Sequence, residues 1–113
     1  MSRATEESRV RDHASMVRAK NAGPFRLTLD VFCNDEASYA LVREGISTED
    51  VAVIFKVEPD SVTRHELPIL AVLKFSLPRP GVQGARGDRD MHGAQYAVLL
   101  AELVLRAGEG RAA

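Results

Sequence analysis

Between Arg26 and Cys33 the chain alternates without a break, with Leu27, Leu29, Val31 and Cys33 on one side and Arg26, Thr28, Asp30 and Phe32 on the other. A period of two is that of a β-strand, so this segment has one apolar face to bury, and the rest of the chain must supply a layer against it. The preceding Asn21-Ala22-Gly23-Pro24 breaks any regular element, because glycine admits positive φ and proline has no amide to donate. After the strand, Asn34 or Asp35 can cap a helix over Glu36 to Arg43, with Ala37, Ala40 and Leu41 as its inward stripe and Gly45 as its stop. Ser47-Thr48-Glu49-Asp50 resembles a capping box with Asp in the usual Glu place. It opens a second helix that buries Val51, Ile54 and Phe55, with Ile46 stapled to Val51, and ends at Glu58-Pro59.

The remaining segments are less strongly patterned. Val10, Ala14 and Val17 recur at helical intervals, which predicts a helix over Val10 to Ala19. Ser61 to Glu66 reads as a short strand, and Leu70 to Leu77 as a firmer one with Ala71, Leu73, Phe75 and Leu77 on one face. Pro78 to Asp90 is a thirteen-residue loop with two prolines and three glycines, longer than most connections in a compact domain. From Met91, the pattern Tyr96, Leu99, Leu100, Leu103 fits a helix capped by Asp90 and stopped near Gly108, and a terminal strand over 99–105 competes with it. The expected architecture is α+β: one domain over 10–106, a small mixed sheet with helices packed on it, flanked by disordered tails at 1–9 and 107–113.

Composition narrows the function classes. At 113 residues, 45% apolar and 27% charged, the chain is one globular domain, small enough that help from a partner subunit is expected. Fifteen basic and sixteen acidic residues give a net charge of -1, which supplies no field for nucleic acid or an anionic membrane. The acidic residues concentrate in the middle: nine against five basic over 21–78. No apolar run approaches the ~20 residues that span a bilayer, and no signal peptide is evident, so a cytoplasmic location is expected. Cys33 is alone, which excludes an internal disulfide and a cysteine zinc site.

Lys20 and Asn21 lead directly into the alternating strand, where an ammonium and a carboxamide at the mouth of a sheet suit a carboxylate or phosphate. The plain alternative is a solvated turn. Asp30 is costly to bury unpaired and is expected to take Lys20 or Arg79 as its counter-charge, either to orient a ligand or to lock the loop to the sheet. Pro78-Arg79-Pro80 holds Arg79 in a stiff extended segment suited to a bidentate grip on a carboxylate. Gly87-Asp88-Arg89-Asp90 and His92-Gly93-Ala94-Gln95 could present a helix N-terminus to an anion, although the two aspartates oppose that and helix capping by Asp90 is the simpler role. Two aspartates and a histidine are also a common chance grouping, and neither a metal nor another cofactor is expected. Arg86-Gly87-Asp88 is a coincidental adhesion tripeptide. A phosphate loop, a nucleophile elbow and a Cys/His pair are all missing, which closes the usual routes to covalent catalysis.

Arg18-Ala19-Lys20-Asn21-Ala22-Gly23-Pro24-Phe25, Leu27 to Phe32, Pro78-Arg79-Pro80, Gly87-Asp88 and Gly93-Ala94-Gln95 together resemble the domain of unknown function 4387 family over roughly Val10 to Leu103. Members occur as short chains or joined to proteins resembling the acyclic terpene utilisation protein A, in settings of carboxylic-acid and acyl-CoA breakdown. The chain departs from the pattern after Gly93-Ala94-Gln95, where Tyr96, Ala97 and Val98 replace a second glutamine and a proline.

The resemblance implies an accessory subunit that docks on a larger terpene-utilisation-type protein, in a homo- or hetero-oligomer. Lys20, Asn21, Arg79, Asp88 and Gln95 would then bind a small carboxylate or acyl-CoA. Two other readings remain: a stand-alone lyase or hydratase with Asp30 or His92 as acid/base, and a homo-oligomeric metabolite-binding domain without catalysis.

Overall fold

The computed structural model describes residues 8–79 and 93–106. Four strands, β1 (Ala14–Asn21), β2 (Arg26–Cys33), β3 (Thr63–Leu67) and β4 (Val72–Pro78), form one sheet in the order β1-β2-β4-β3. Every pairing is antiparallel, so the α+β class stands with a uniform sheet where a mixed one was expected. Three helices, α1 (Glu36–Gly45), α2 (Thr48–Phe55) and α3 (Gly93–Ala101), complete the chain with short 3-10 turns at Val10–Asp12, Pro59–Ser61 and Pro68–Leu70.

The alternating segment is β2 to the residue, and Leu27, Leu29 and Val31 are buried beside Leu73, Phe75 and Leu77 of β4. Tyr39, Val42 and Ile46 from α1, Val51, Ala52 and Phe55 from α2, and Tyr96 and Leu100 from α3 close over this face. Phe55 and Tyr96 meet edge to face at 6.0 Å between ring centroids, which joins α2 to α3 with the geometry aromatic quadrupoles favour.

The expected helix over Val10 to Ala19 is instead a single 3-10 turn followed by β1. Val17 and Ala19 face Val31 and Leu29 of β2 while Met16, Arg18 and Lys20 take the opposite face. Val10, Ala14 and Val17 are spaced four and three apart, which fits the helical period; the register shift between Ala14 and Met16 lets Ala14 and Val17 pack on the same core, and pairing along β2 decided for the strand. Gly23, at φ 86, and the Ala22 amide donating to the Arg26 carbonyl at 2.9 Å close the β1–β2 hairpin.

In α1, Asp35 caps the N-terminus through the Ser38 amide at 2.8 Å, but the buried stripe is Tyr39 and Val42 rather than Ala37, Ala40 and Leu41. Gly45 is the last helical residue, not a stop beyond it, and its carbonyl accepts from the Arg106 amide. The Ser47–Asp50 capping box forms as read, and α2 ends one turn before Pro59, at Lys56 in the left-handed region. The final helix prevails over the competing strand, of which only a bridge from Val104 to Arg9 appears. That bridge brings Ser8 and Arg9 into the domain; the rest of the expected tails lies outside the described residues.

Candidate functional site

Among the described residues no helix covers the second face of the sheet. The register aligns its side chains in rows that cross the strands: Arg18, Asp30, Lys74 and His65 in one, and Lys20, Thr28, Ser76 and Thr63 in the next. Arg26 stands beyond them at the end of β2. Arg18, Lys20, Arg26 and Lys74 therefore face outward against one strand carboxylate, Asp30, on a chain whose total charge is -1. A local cationic surface of this kind favours anions even when the whole molecule does not.

Asp30 is the one polar residue fully buried among those described, at 2% exposure. Arg18 donates to its Oδ2 from Nη2 at 2.9 Å and Nε at 3.3 Å, and the Lys74 ammonium lies 3.6 Å from Oδ1. The Arg18 guanidinium also rests 5.1 Å from the Phe32 ring centroid, so its stem and plane roof the carboxylate. The partners are thus the cross-strand neighbours Arg18 and Lys74, not Lys20 or Arg79 as expected, because opposed residues in adjacent strands are closer than residues two places along. Charges enclosed in this way lock strands together and leave little room for a substrate atom.

Lys20 and Asn21 separate: Lys20 points to the open face opposite Thr28, and Asn21 pairs with Leu27 on the helix side at the sheet's end. Arg79 follows β4 at that same end, its amide donating to the Phe25 carbonyl at 2.8 Å. Gln95 is in the first turn of α3, whose C-terminal end is tied through the Leu103 carbonyl to Val10, just before β1. That helix packs against β1. Asp88 and His92 lie outside the described residues. The expected site therefore divides between the open face, with Lys20 and Asp30, the sheet end, with Asn21 and Arg79, and the first turn of α3, with Gln95.

Arg18, Arg26 and Lys74 were missed as site residues. Arg26 donates to the Ser76 hydroxyl at 2.9 Å, and the Thr28 hydroxyl donates to the Lys20 carbonyl at 3.4 Å, so the open face is pre-ordered by its own side chains. Cys33, at the end of β2 on the core side, has its thiol pushed up to about 11 by burial and the nearby Asp35. Among the described residues no group of three or more His, Cys, Asp or Glu could hold a metal. Among them, too, no helix is long and apolar enough to cross a membrane.

A second feature lies on the helix side, beside β3. Glu36, Tyr39, Ala40 and Arg43 of α1, with Glu66 and Pro68, line a groove of about 390 Å³. Burial, and then the Glu66 carboxylate, push the Tyr39 phenol above its ordinary range. Arg64 braces the groove from β3, donating to the carbonyls of Arg43 and Ile46 at the end of α1 and lying 5.9 Å from the Phe75 ring centroid.

An antiparallel four-stranded sheet, roofed by helices on one face and basic on the other, defines a two-layer α+β domain. Its sequence family is equally definite: the chain belongs to the family described as Domain of unknown function (DUF4387), whose model matches residues 10–104. No significant match was found among curated proteins or among solved structures.

Proposed function

We propose that this chain is a non-catalytic binding subunit that holds a carboxylate-bearing ligand on the open face of its sheet, in the service of a larger protein of carboxylic-acid or acyl-CoA breakdown. The observation that carries this reading is the surplus of outward cations, Arg18, Lys20, Arg26 and Lys74, around the hydroxyls of Thr28 and Ser76. Arg18 and Lys74 are partly engaged by Asp30, which leaves Lys20 and Arg26 as the principal anion contacts. The engagement of Asp30 speaks against the stand-alone lyase or hydratase in which it would act as base. The larger partner is of the acyclic-terpene-utilisation type, an assignment that rests on the sequence resemblance alone.

Calorimetric titration of the full chain with a branched short-chain carboxylate and with its CoA thioester tests the binding. Saturable binding that weakens at least tenfold in Lys20→Glu and in Arg26→Glu is expected, whereas binding indifferent to both variants, or none, overturns the reading. A bound anion should also raise the melting temperature by several degrees, since a ligand at 100 times its Kd contributes about 2.7 kcal/mol. Co-purification with the terpene-utilisation-type protein tests the partner separately.

A further inference from the structure

The two edges of the sheet are not alike. On β1 the register slips between Ala14 and Met16, and α3 packs along the strand. On β3 the ladder to β4 runs unbroken from Thr63 to Leu67, and no described strand pairs with the other side. A regular edge with unpaired backbone groups is a template for another strand unless charge or shape forbids it. Here the charge pattern selects the partner.

We infer that β3 pairs with β3 of a second copy of this chain, antiparallel and centred on His65, to give a continuous eight-stranded sheet. The sequence Thr63-Arg64-His65-Glu66-Leu67 carries opposite charges symmetrically about its middle residue. Within its own strand Arg64 donates from Nε to Glu66 Oε2 at 2.9 Å, and in the centred antiparallel register each such pair faces the same pair reversed in the other copy, Arg64 opposite Glu66 twice over. A parallel in-register pairing sets Arg64 on Arg64 and Glu66 on Glu66. Directly opposed charges of unlike sign stabilise a strand pair and like charges destabilise it, so the two-fold arrangement is the one the side chains favour.

The helix layer repeats the logic. The flank of α1 that borders the β3 groove has Glu36 at one end, Arg43 at the other, and Tyr39 and Ala40 between them. A two-fold axis normal to the sheet reverses α1 against its copy, which brings each Glu36 toward the other copy's Arg43. Leu67, Ile69 and Leu70 provide the apolar component: Ile69 is 96% and Leu70 66% exposed at the turn that follows β3. Exposed apolar side chains clustered beside a regular edge mark an interaction surface.

Sedimentation velocity on the full chain over a range of concentrations should show a species of twice the 12.3 kDa chain mass. Glu66→Arg, a change at an exposed position, should weaken the dimer at least about tenfold by setting like charges opposite each other at two sites. Register is read by mild oxidation of single-cysteine additions. Opposed antiparallel residues have Cα atoms about 4.5–5.5 Å apart, within reach of a disulfide, so His65→Cys should cross-link to its own copy. Thr63→Cys should not, since four residues of strand separate it from its copy by about 13 Å or more. The parent chain controls for Cys33. A monomer at all concentrations, a Glu66→Arg dimer of unchanged affinity, or cross-linking at 63 as ready as at 65, overturns the inference.

Discussion

Asp30 shows how one residue type in a β pattern predicts a problem more clearly than its solution. That a carboxylate in the middle of β2 needs a counter-charge follows from the cost of burying it alone. Which residue supplies it depends on the register, and Arg18 and Lys74 are chosen because both stand directly across from it. Arg18→Met should therefore destabilise the domain by about 1–2 kcal/mol in urea denaturation, less than for a sealed pair because the guanidinium is partly solvated and Lys74 remains. A similar gap separates the two readings of Gly45. Its place after an amphipathic stretch suggested a stop, yet a Cβ there would meet the Leu105 Cβ at 2.9 Å, so it is a close-approach residue. Gly45→Ala should lower stability by about 1–3 kcal/mol in the same assay, even though alanine is the better helix former, because overpacking against Leu105 outweighs propensity.

The elements were legible where a single period dominated. β2 and the inner face of β4 are one-sided apolar ladders, and the α2 start is a capping box with local hydrogen bonds, so neither depends on distant residues. β1 was obscured because its buried residues are small and its polar ones charged; the alternation of Met16, Arg18 and Lys20 with Val17 and Ala19 was the available signal. The α1 stripe lies on nearly the opposite side of the helix from the one expected, because Tyr39 outweighs the alanines in burying area. Ser47→Ala should cost about 1 kcal/mol, as loss of an N-cap does. Asp50 links that cap to Arg106, whose Nε donates to Oδ2 at 3.1 Å. Burial alone would raise the Asp50 carboxyl, but bonds from Arg106 and Ser47 prevail and hold it below its ordinary value. A folded-state value below the unfolded one means its contribution is complete above about pH 4 and is lost as pH falls through the folded value. Asp50→Asn should be less stable at pH 7, with the difference narrowing in acid; a constant difference from pH 7 to pH 2 would contradict the assignment. Lys56, left-handed at φ 59, is a further lever: Lys56→Gly should raise stability by about 0.5–1 kcal/mol in thermal unfolding.

At the scale of the molecule, the sequence made the layered architecture readable, because one apolar sheet face demanded helices and the chain had few other places for them. It left the candidate site undivided, since adjacency of Lys20 and Asn21 in the chain suggested a shared location. A strand sends neighbours to opposite faces, and the division of the candidate site follows from that alternation. The closure of the domain was beyond a local reading altogether. Arg9 bridges Val104, the Val10 amide donates to the Leu103 carbonyl at 3.0 Å, and the Leu105 amide donates to the Ser8 carbonyl at 2.9 Å. The first and last described segments are thereby neighbours in space, so the fold has in effect no ends of its own. A circular permutant that joins these segments by a short linker and opens at the exposed Ala22–Gly23 hairpin should keep the same core and the same open face, and the domain could be spliced into a surface loop of a carrier protein without stretching either junction.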